Sequence, residues 1–253
     1  MPKPIIQVEN LSTQIDGHWI HRDLNFTVEQ GEIVAIVGGS GAGKSTLLNC
    51  LLLLLPPAAG TIKIFDENIE TLDAKDKEAL RTRCSIMFQG GALFSELTVA
   101  ENVLFPMLQH SHLEKPLLTK LAILKILMAG LNEDAAPKYP DELSGGMIKR
   151  AAVARALALD PELLFLDEPS SGLDPITASG LDKLILELRD SLKLTIVIVT
   201  HDLDTLATVP DRIAFIGQGK VLACDTLANL IKSDIPEVQD YFNNARAKRT
   251  FGA

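Results

Sequence analysis

The chain is poor in features that would assign it to a disulfide-bonded, zinc-binding or membrane-spanning class. It has three cysteines in 253 residues, Cys50, Cys84 and Cys224, and no two of them form a Cys-x-x-Cys pair. This sparse spacing favours reduced core cysteines in a cytosolic protein over a disulfide framework or a zinc site. The longest apolar run, residues 51–55, ends at two prolines and is much shorter than the about 20 residues that span a bilayer.

An excess of basic residues is also missing. The chain has 33 acidic and 24 basic residues and a formal charge of −9, which argues against a general nucleic-acid binder. Hydrophobic residues make up 47% of the chain, enough for a globular core. Met1–Pro4 leads directly into a strand-like segment, so we expect no signal peptide.

A glycine-rich segment at residues 38–46 carries the strongest chemical signal. Gly38-Gly39-Ser40-Gly41-Ala42-Gly43-Lys44-Ser45-Thr46 fits the pattern Gly-x-x-x-x-Gly-Lys-[Ser/Thr]. A strand-like run, 33–37, precedes it and a helix-like run, 47–51, follows it, as a phosphate-binding loop requires. Glycines let several backbone N–H groups face one anion at the positive end of the helix. We expect Lys44 to reach the β- and γ-phosphates of a nucleotide and the Ser45 hydroxyl to bind Mg²⁺.

The order of elements along the chain predicts an α/β fold with an antiparallel β region and a helical insertion. Residues 5–35 alternate and contain turn residues, which is typical of antiparallel strands. Residues 95–158 change to helical periodicity, including an apolar stripe on Leu117, Leu121, Leu124, Met128 and Leu131 that we expect to pack in the core. The strand pattern returns at 163–166, 195–200 and in a hairpin over 213–223.

Two polar segments follow predicted strands. Asp167 and Glu168 end the apolar run 163–166, where side chains of parallel strands face a ligand crevice. Asp167 can hold Mg²⁺ through water, and Glu168 can deprotonate the attacking water in phosphoryl transfer; a plain polar turn is the alternative. His201 follows the strand 195–200 and is expected to contact the γ-phosphate or the water. The other histidines lack this context and are expected at the surface: His18, His21, His110 and His112.

A second glycine-containing segment, Leu143-Ser144-Gly145-Gly146-Met147, is called here the signature segment. It precedes a helix predicted over 148–159, and Ser144 is a natural N-cap. An ordinary capped helix is the alternative interpretation. Because the nucleotide already has one cradle at 38–46, a second cradle is informative only if it serves a nucleotide held by another copy of the chain, which indicates a symmetric head-to-tail dimer.

In this order, the motifs resemble the nucleotide-binding subunits of ABC transporters over nearly the whole chain. Gln89 resembles the Q-loop glutamine, 163–168 the Walker B strand, 171–174 the D-loop and His201 the switch histidine. The resemblance implies a P-loop NTPase core over 1–89 and 160–235 with an antiparallel β subdomain. It also implies a helical subdomain over 90–159 and a C-terminal helix or tail over 236–253, all in one ABC ATPase domain.

A finer resemblance is to the Mla/Mkl branch, which moves phospholipids with MCE-type proteins. Three segments carry it: 87–94 with its Gly-Ala-Leu-Phe run, Met147 in place of the usual glutamine, and 167–177. The resemblance implies an ATPase on the cytoplasmic face of a bacterial inner membrane. It implies as partners a second copy of the chain, permease subunits, an MCE-type lipid-binding protein and a small accessory subunit, and no nucleic acid.

This interpretation assigns ATP and Mg²⁺ as cofactors and gives each site residue a role. The predicted catalytic residues are Glu168, His201 and Lys44, and the predicted metal ligands are Ser45, Gln89 and Asp167. The predicted ATP-binding residues are Gly38, Gly39, Ser40, Gly41, Ala42, Gly43, Lys44, Ser45, Thr46, Gln89, Ser144, Gly145, Gly146 and Asp174.

Some alternatives stay open. The position that usually stacks on adenine falls near Ile15, which has no ring, so selectivity for the base can be loose. Another importer or exporter, or a cluster-assembly ABC ATPase outside transport, is the competing function. The tail from Pro236 is expected to be a short helix with a solvated end, with a partner or phospholipid-headgroup contact near Arg246–Arg249 as the alternative.

Overall fold

The computed structural model describes residues 3–252, which fold into ten strands and ten α-helices. The strands are β1 (Pro4–Ile15), β2 (His18–Glu29), β3 (Ile33–Gly38), β4 (Ala59–Ile64), β5 (Glu67–Asn68), β6 (Cys84–Met87), β7 (Leu163–Asp167), β8 (Thr195–Val199), β9 (Arg212–Gly217) and β10 (Lys220–Asp225). The helices are α1 (Lys44–Leu51), α2 (Ala74–Arg83), α3 (Val99–His110), α4 (Lys115–Met128), α5 (Gly145–Ala156), α6 (Pro175–Leu192), α7 (Leu203–Thr208), α8 (Leu227–Leu230), α9 (Pro236–Phe242) and α10 (Ala245–Phe251). Two short 3₁₀ turns, Glu133–Ala135 and Pro140–Glu142, precede α5.

The described chain divides into two compact units. The first unit contains residues 3–81 and 195–252, and the second contains residues 82–194. The predicted helical subdomain, 90–159, contains α3, α4 and α5 and lies inside the second unit. The exact predicted boundaries stay a prediction, and their ends at Met1, Pro2 and Ala253 lie outside the described residues.

The first unit contains two sets of strands. One is antiparallel, in the order β2-β1-β4-β5, which confirms the antiparallel region expected near the N-terminus. The other runs β10-β9-β3-β8, with β3 parallel to both β8 and β9. All residues of β3 and β8 are buried, as expected for β-branched strands covered on both faces. The predicted hairpin is confirmed by the antiparallel pairing of β9 and β10.

The C-terminal helices belong to the core of the first unit. Val238, Phe242 and Ala247 are buried in a cluster with Phe215 of β9 and Leu206 of α7. Helix α9 is the short helix expected after Pro236. The expectation of a solvated end was wrong for the inner face of α10, where Ala247 is buried. The sequence signal was an apolar pair, Tyr241-Phe242, whose rings pack edge to face at 5.0 Å between centroids.

In the second unit, β6 and β7 pair in parallel, so their carboxyl ends lie side by side. Helix α4 forms where predicted, but the expected apolar stripe is only partly correct. Leu131, just after the helix, is buried as expected, and Leu121 and Met128 are partly buried. The structure buries Leu118, Ala122 and Ile126 and leaves Leu117 and Leu124 about half exposed. Both faces of this helix carry leucine, so periodicity alone could not select the buried one.

Candidate nucleotide site

The predicted phosphate loop connects β3 to α1 in the first unit. Helix α1 begins at Lys44, and no side chain caps its N-terminus at Gly43. No acidic residue lies in its first turn, so nothing offsets the positive end of the helix dipole. Gly39, Ser40, Gly41 and Ser45 are exposed. The local structure thus presents backbone N–H groups to solvent at a helix N-terminus, the arrangement that binds phosphate.

Lys44 lies over the loop from the first position of α1. Its Nζ donates to the carbonyl oxygens of Gly38 at 2.8 Å and Gly39 at 3.0 Å. Both acceptors are within six residues in sequence, so the ammonium is held by the loop itself. A phosphate bound above the loop would meet this ammonium without rearrangement of the surrounding core.

Two glycines of the loop are required by close contacts. Gly38 has φ 150°, and a Cβ there would lie 2.2 Å from the carbonyl oxygen of Ile216. Gly43 has φ 96°, and a Cβ there would lie 2.4 Å from Nε2 of His21. The loop conformation therefore depends on glycine for both backbone freedom and space.

His21 lies directly beneath the loop, so its predicted surface position was wrong. The side chain is 0% exposed, and Thr13 Oγ1 is 2.9 Å from its Nδ1. Among the described residues, its Nε2 has no hydrogen-bond partner. Burial lowers the pKa of His21, while the nearby backbone of Gly43 opposes that shift. His18, His110 and His112 are exposed as expected.

His201 follows β8 in the same unit as the phosphate loop. Strand β8 pairs in parallel with β3, with Ile36 opposite Val199. The segments that follow these two strands therefore leave the sheet at the same edge. His201 is exposed two residues beyond Val199, next to Asp202, which caps α7. Topology thus places His201 and the phosphate loop at the carboxyl edge of adjacent strands.

In the second unit, Gln89 and Glu168 follow neighbouring parallel strands. The last residue pair between β6 and β7 is Met87 with Leu166. Gln89 and Glu168 each lie two positions further along the chain. Gln89 is exposed, and Asp167 and Glu168 are partly buried. The pKa of Asp167 is raised by burial and by the charge of Glu168, with Lys149 opposing the shift. A cation near Asp167 would oppose this rise of its pKa.

Lys149 is a candidate functional residue that the sequence did not single out. It is only 6% exposed, and its Nζ donates to the main-chain carbonyls of Gln89 and Glu168. Other buried residues of α5 are small, such as Ala151 and Ala152. No sequence signal distinguishes a lysine on this helix that points to solvent from one that points inward.

The signature segment begins α5, three residues earlier than predicted. Ser144 is the N-cap, and its Oγ accepts from the backbone N–H of Met147 at 3.3 Å. A Cβ at Gly146 would lie 2.5 Å from Cγ2 of Thr177, so this glycine allows α5 to approach α6 closely. Ser144 and Gly145 are exposed at the helix end.

Asp174 begins α6 as its N-cap. Its carboxylate accepts from the N–H groups of Ile176 and Thr177, both at 3.1 Å, and from the Thr177 hydroxyl. These hydrogen bonds, that of the Thr177 side chain first, lower the pKa of Asp174. The carboxylate is thus used in helix capping, and a contact with nucleotide stays a prediction.

A cleft of about 540 Å³ borders the signature segment and the start of α6. Ser144, Gly146 and Met147 line one side, and Ile176 and Thr177 line another. Ile176 is 86% exposed, an unusual position for a large aliphatic side chain. The cleft combines a helix N-terminus with an exposed apolar residue on one surface of the second unit.

The predicted site residues therefore form two groups. The loop 38–46 and His201 belong to the first unit, and Gln89, Asp167, Glu168, Ser144–Gly146 and Asp174 belong to the second. Among the described residues, no three His, Cys, Asp or Glu side chains cluster in a way that could hold a metal.

The hairpin between β1 and β2 contains the residues nearest the expected base-stacking position. Ile15 pairs with His18, and Gln14 pairs with Trp19. Ile15 and Trp19 are both exposed, and the Arg22 guanidinium lies 5.4 Å from the Trp19 ring centroid. The exposed Trp19 ring in this hairpin is thus in cation–π contact with Arg22.

Comparison with known proteins gives consistent matches. A protein-family model described as ABC transporter matches residues 21–171. The chain is 39% identical to the intermembrane phospholipid transport system ATP-binding protein MlaF of Haemophilus influenzae over 94% of this chain and 90% of the relative. It is 36% identical to the probable ribonucleotide transport ATP-binding protein mkl of Mycobacterium tuberculosis over 95% of this chain and 67% of the relative.

Solved structures agree with the family match. CbiO1 of Clostridium perfringens, part of the ABC transporter complex cbiONQ, aligns with a TM-score of 0.84 and 30% identity over 99% of this chain and 100% of that chain. The dimeric ATP-binding cassette MJ0796 bound to ADP and Pi aligns with a TM-score of 0.79 and 30% identity over 87% of this chain and 98% of that chain.

Proposed function

The chain belongs to the ABC transporter family and is an ABC-type ATPase, and we propose that it energises phospholipid transport between the inner and outer membranes. The observation that carries the nucleotide part is the phosphate loop, an uncapped helix N-terminus with Lys44 lying over it. The cargo is proposed from the MlaF relatives, whose name specifies intermembrane phospholipid transport. The resemblance of residues 87–94 and Met147 to the Mla/Mkl branch supports the same cargo.

We propose that the backbone of 38–46 holds the ATP phosphates and that Lys44 binds the β- and γ-phosphates. Each contact pairs a positive or N–H donor with an anionic oxygen, which makes the hydrogen bonds short and strong. Mg²⁺, when bound with ATP, would neutralise phosphate charge during transfer. Ser45, Gln89 and Asp167 supply the oxygen donors that Mg²⁺ prefers, which supports their prediction as ligands.

Glu168 is proposed as the general base and His201 as the residue that contacts the γ-phosphate or the attacking water. Glu168 follows a buried strand and is partly buried, as a base that must accept a proton from one positioned water requires. The histidine leaves β8 at the edge where β3 delivers the phosphate loop. Both roles depend on atoms of the nucleotide and stay predictions.

A head-to-tail dimer is proposed to complete each ATP site. Ser144, Gly145 and Gly146 lie at an exposed helix end beside Ile176, whose 86% exposure would fall if a second copy covered this surface. The MJ0796 cassette that this chain resembles is dimeric. Burial of one aliphatic side chain of this size contributes about 1.5–3 kcal/mol to such an interface.

Membrane partners are proposed to bind the second unit, where several large apolar side chains are exposed. They lie on and near α3 and α4: Phe94, Phe105, Leu108, Leu113, Leu117, Leu124 and Leu127. A surface with this many exposed apolar side chains is typical of a protein interface. None of the helices within residues 3–252 is long and apolar enough to cross a bilayer. On the basis of the exposed apolar side chains and the MlaF relatives, we propose binding to permease subunits at the cytoplasmic face of the inner membrane, with an MCE-type protein and a small accessory subunit in the complex.

Purification from the native membrane tests this proposal. An affinity-tagged chain, extracted in mild detergent, is expected to bring down a polytopic permease, an MCE-type protein and phospholipid that mass spectrometry identifies. The complex should hydrolyse ATP. Recovery of ribonucleotide as cargo would contradict the lipid assignment, and recovery of soluble scaffold proteins alone would favour a cluster-assembly ATPase.

A further inference from the structure

Lys149 is buried one turn inside α5, close to the signature segment. It is 6% exposed. Burying an ammonium is costly unless hydrogen bonds compensate it. Its Nζ donates to the main-chain oxygen of Glu168 at 3.1 Å and makes a close contact with the main-chain oxygen of Gln89. One lysine thus links the signature helix to the backbone of two predicted site residues.

The contact to Glu168 acts on an unusual backbone conformation. Glu168 has φ 47°, in the left-handed region that costs a residue with a Cβ about 1 kcal/mol or more. Its carbonyl oxygen also accepts from the N–H of Ser171 at 3.2 Å, which closes a turn directly after β7. The ammonium adds a charged donor to the same oxygen. Because φ sets the direction of the side chain, a contact that stabilises this turn also fixes the direction in which the Glu168 side chain extends from the backbone.

The contact to Gln89 is one of three between α5 and the segment 89–92. Arg155, also on α5, donates to the carbonyl oxygens of Gly91 at 2.8 Å and Ala92 at 2.5 Å. A Cβ at Gly91 would lie 3.2 Å from Cγ2 of Ile148. Two cations of one helix therefore hold the Q-loop backbone against that helix, and Lys149 is the one that also reaches Glu168.

We propose that Lys149 is a positioning residue for ATP hydrolysis. It holds the backbone of Glu168 and Gln89 in a fixed position relative to helix α5. The proposal rests on the proposed roles of those two residues. It implies that Lys149 acts on the chemical step, through the backbone of the two residues that it holds. Loss of the ammonium should therefore change kcat and leave the KM for ATP nearly unchanged.

The test compares K149M, K149Q and K149R in the full chain purified with its membrane partners. K149M keeps the approximate shape and removes both donor and charge, so we expect at least a 10-fold loss of kcat with KM within threefold of wild type. K149R keeps charge and several donors and should restore kcat to within threefold of wild type. K183M, which changes an exposed lysine on α6, is the matched control and should behave as wild type.

Each result decides between positioning and mere packing. If K149M folds and keeps kcat within twofold of wild type, the proposal is overturned. A loss of kcat that K149R shares equally overturns it as well, since charge and donors would not be the cause. If K149M does not fold, K149Q takes its place. A loss of kcat of at least threefold with unchanged KM then supports the proposal, and a smaller loss overturns it. A wild-type complex without ATPase activity would overturn the proposed function itself, and this proposal with it.

Discussion

The phosphate loop and the signature segment both place glycines at the start of a helix, but they treat that helix end differently. Helix α1 begins after Gly43 with no side-chain cap, and the loop needs glycine for positive φ and for space. Helix α5 is N-capped by Ser144, whose hydroxyl already accepts from the backbone N–H of Met147. The first end is open for an anion before any ligand arrives. The second can serve a phosphate only in addition to, or in exchange for, its own cap.

The same contrast holds for the two lysines near these segments. Lys44 donates to carbonyls five and six residues away, within the loop that it serves. Lys149 donates to carbonyls 60 and 19 residues away and is buried. A lysine with local partners can exchange them for a phosphate, whereas one held in the core acts through the backbone it holds. The difference separates a ligand-binding cation from a positioning cation.

Lys44→Ala should produce the largest effect, and it tests the contrast between Lys44 and Lys149 most directly. It removes a charge-assisted contact to the phosphates, so ATP affinity should fall by at least about 100-fold. Titration with a fluorescent ATP analogue measures this. K149M serves as the contrast and should bind the analogue as wild type does; unchanged affinity in Lys44→Ala would refute the role of Lys44.

Glu168→Gln should separate binding from chemistry. The amide keeps the shape of the side chain but cannot accept the proton of the attacking water, so hydrolysis should slow at least about 100-fold while ATP still binds. Single-turnover hydrolysis and nucleotide binding, measured on the same preparation, check both parts. Turnover at the wild-type rate would move the general-base role to another residue.

A matched pair of alanine variants compares how strongly folding stability depends on glycine at the start of α1 and at the start of α5. Gly43→Ala places a Cβ 2.4 Å from His21 Nε2 at a φ of 96°, so it should destabilise folding by about 2–4 kcal/mol. Gly145→Ala has its nearest contact at 3.7 Å and an ordinary φ, so stability should change by less than about 1 kcal/mol. Urea unfolding measures both. Equal losses would show that the two segments impose the same constraint on their glycines.

The smallest effect concerns the histidine under the phosphate loop. Burial keeps the pKa of His21 in the folded protein below its ordinary value of 6.5, so the unfolded chain binds the proton first. Stability from this residue is complete above that pH and declines as the pH falls below it. The double variant Thr13→Val with His21→Leu removes the titrating group and its partner, and should lose less stability in acid.

Urea midpoints at about pH 8 and about pH 5.5 measure this difference. The midpoint of the wild type should fall further than that of the double variant between these conditions. Parallel decreases in the two proteins would mean that other groups account for the acid sensitivity.

Local signals predicted most of the fold. Runs of β-branched residues marked β3 and β8, and Gly217-Gln218-Gly219 marked the hairpin between β9 and β10. The motif spacing placed the site residues at strand and helix ends, where the structure has them. Prediction failed where two faces of one element have the same composition. Helix α4 has leucines on both sides, and only its packing against α3 and α5 selects Leu118 and Ile126 for the core.

The chain's chemistry was determined by the sequence alone, because each motif places its functional groups within a few residues of one another. A glycine loop before a helix, with its lysine, already specifies a phosphate site, and the order of motifs specifies the ABC family. Burial of His21, inward placement of Lys149 and docking of Phe242 were decided only by tertiary structure. Their partners lie far away in sequence, or on another strand, and the free energy of burying them depends on those partners rather than on their neighbours in the chain.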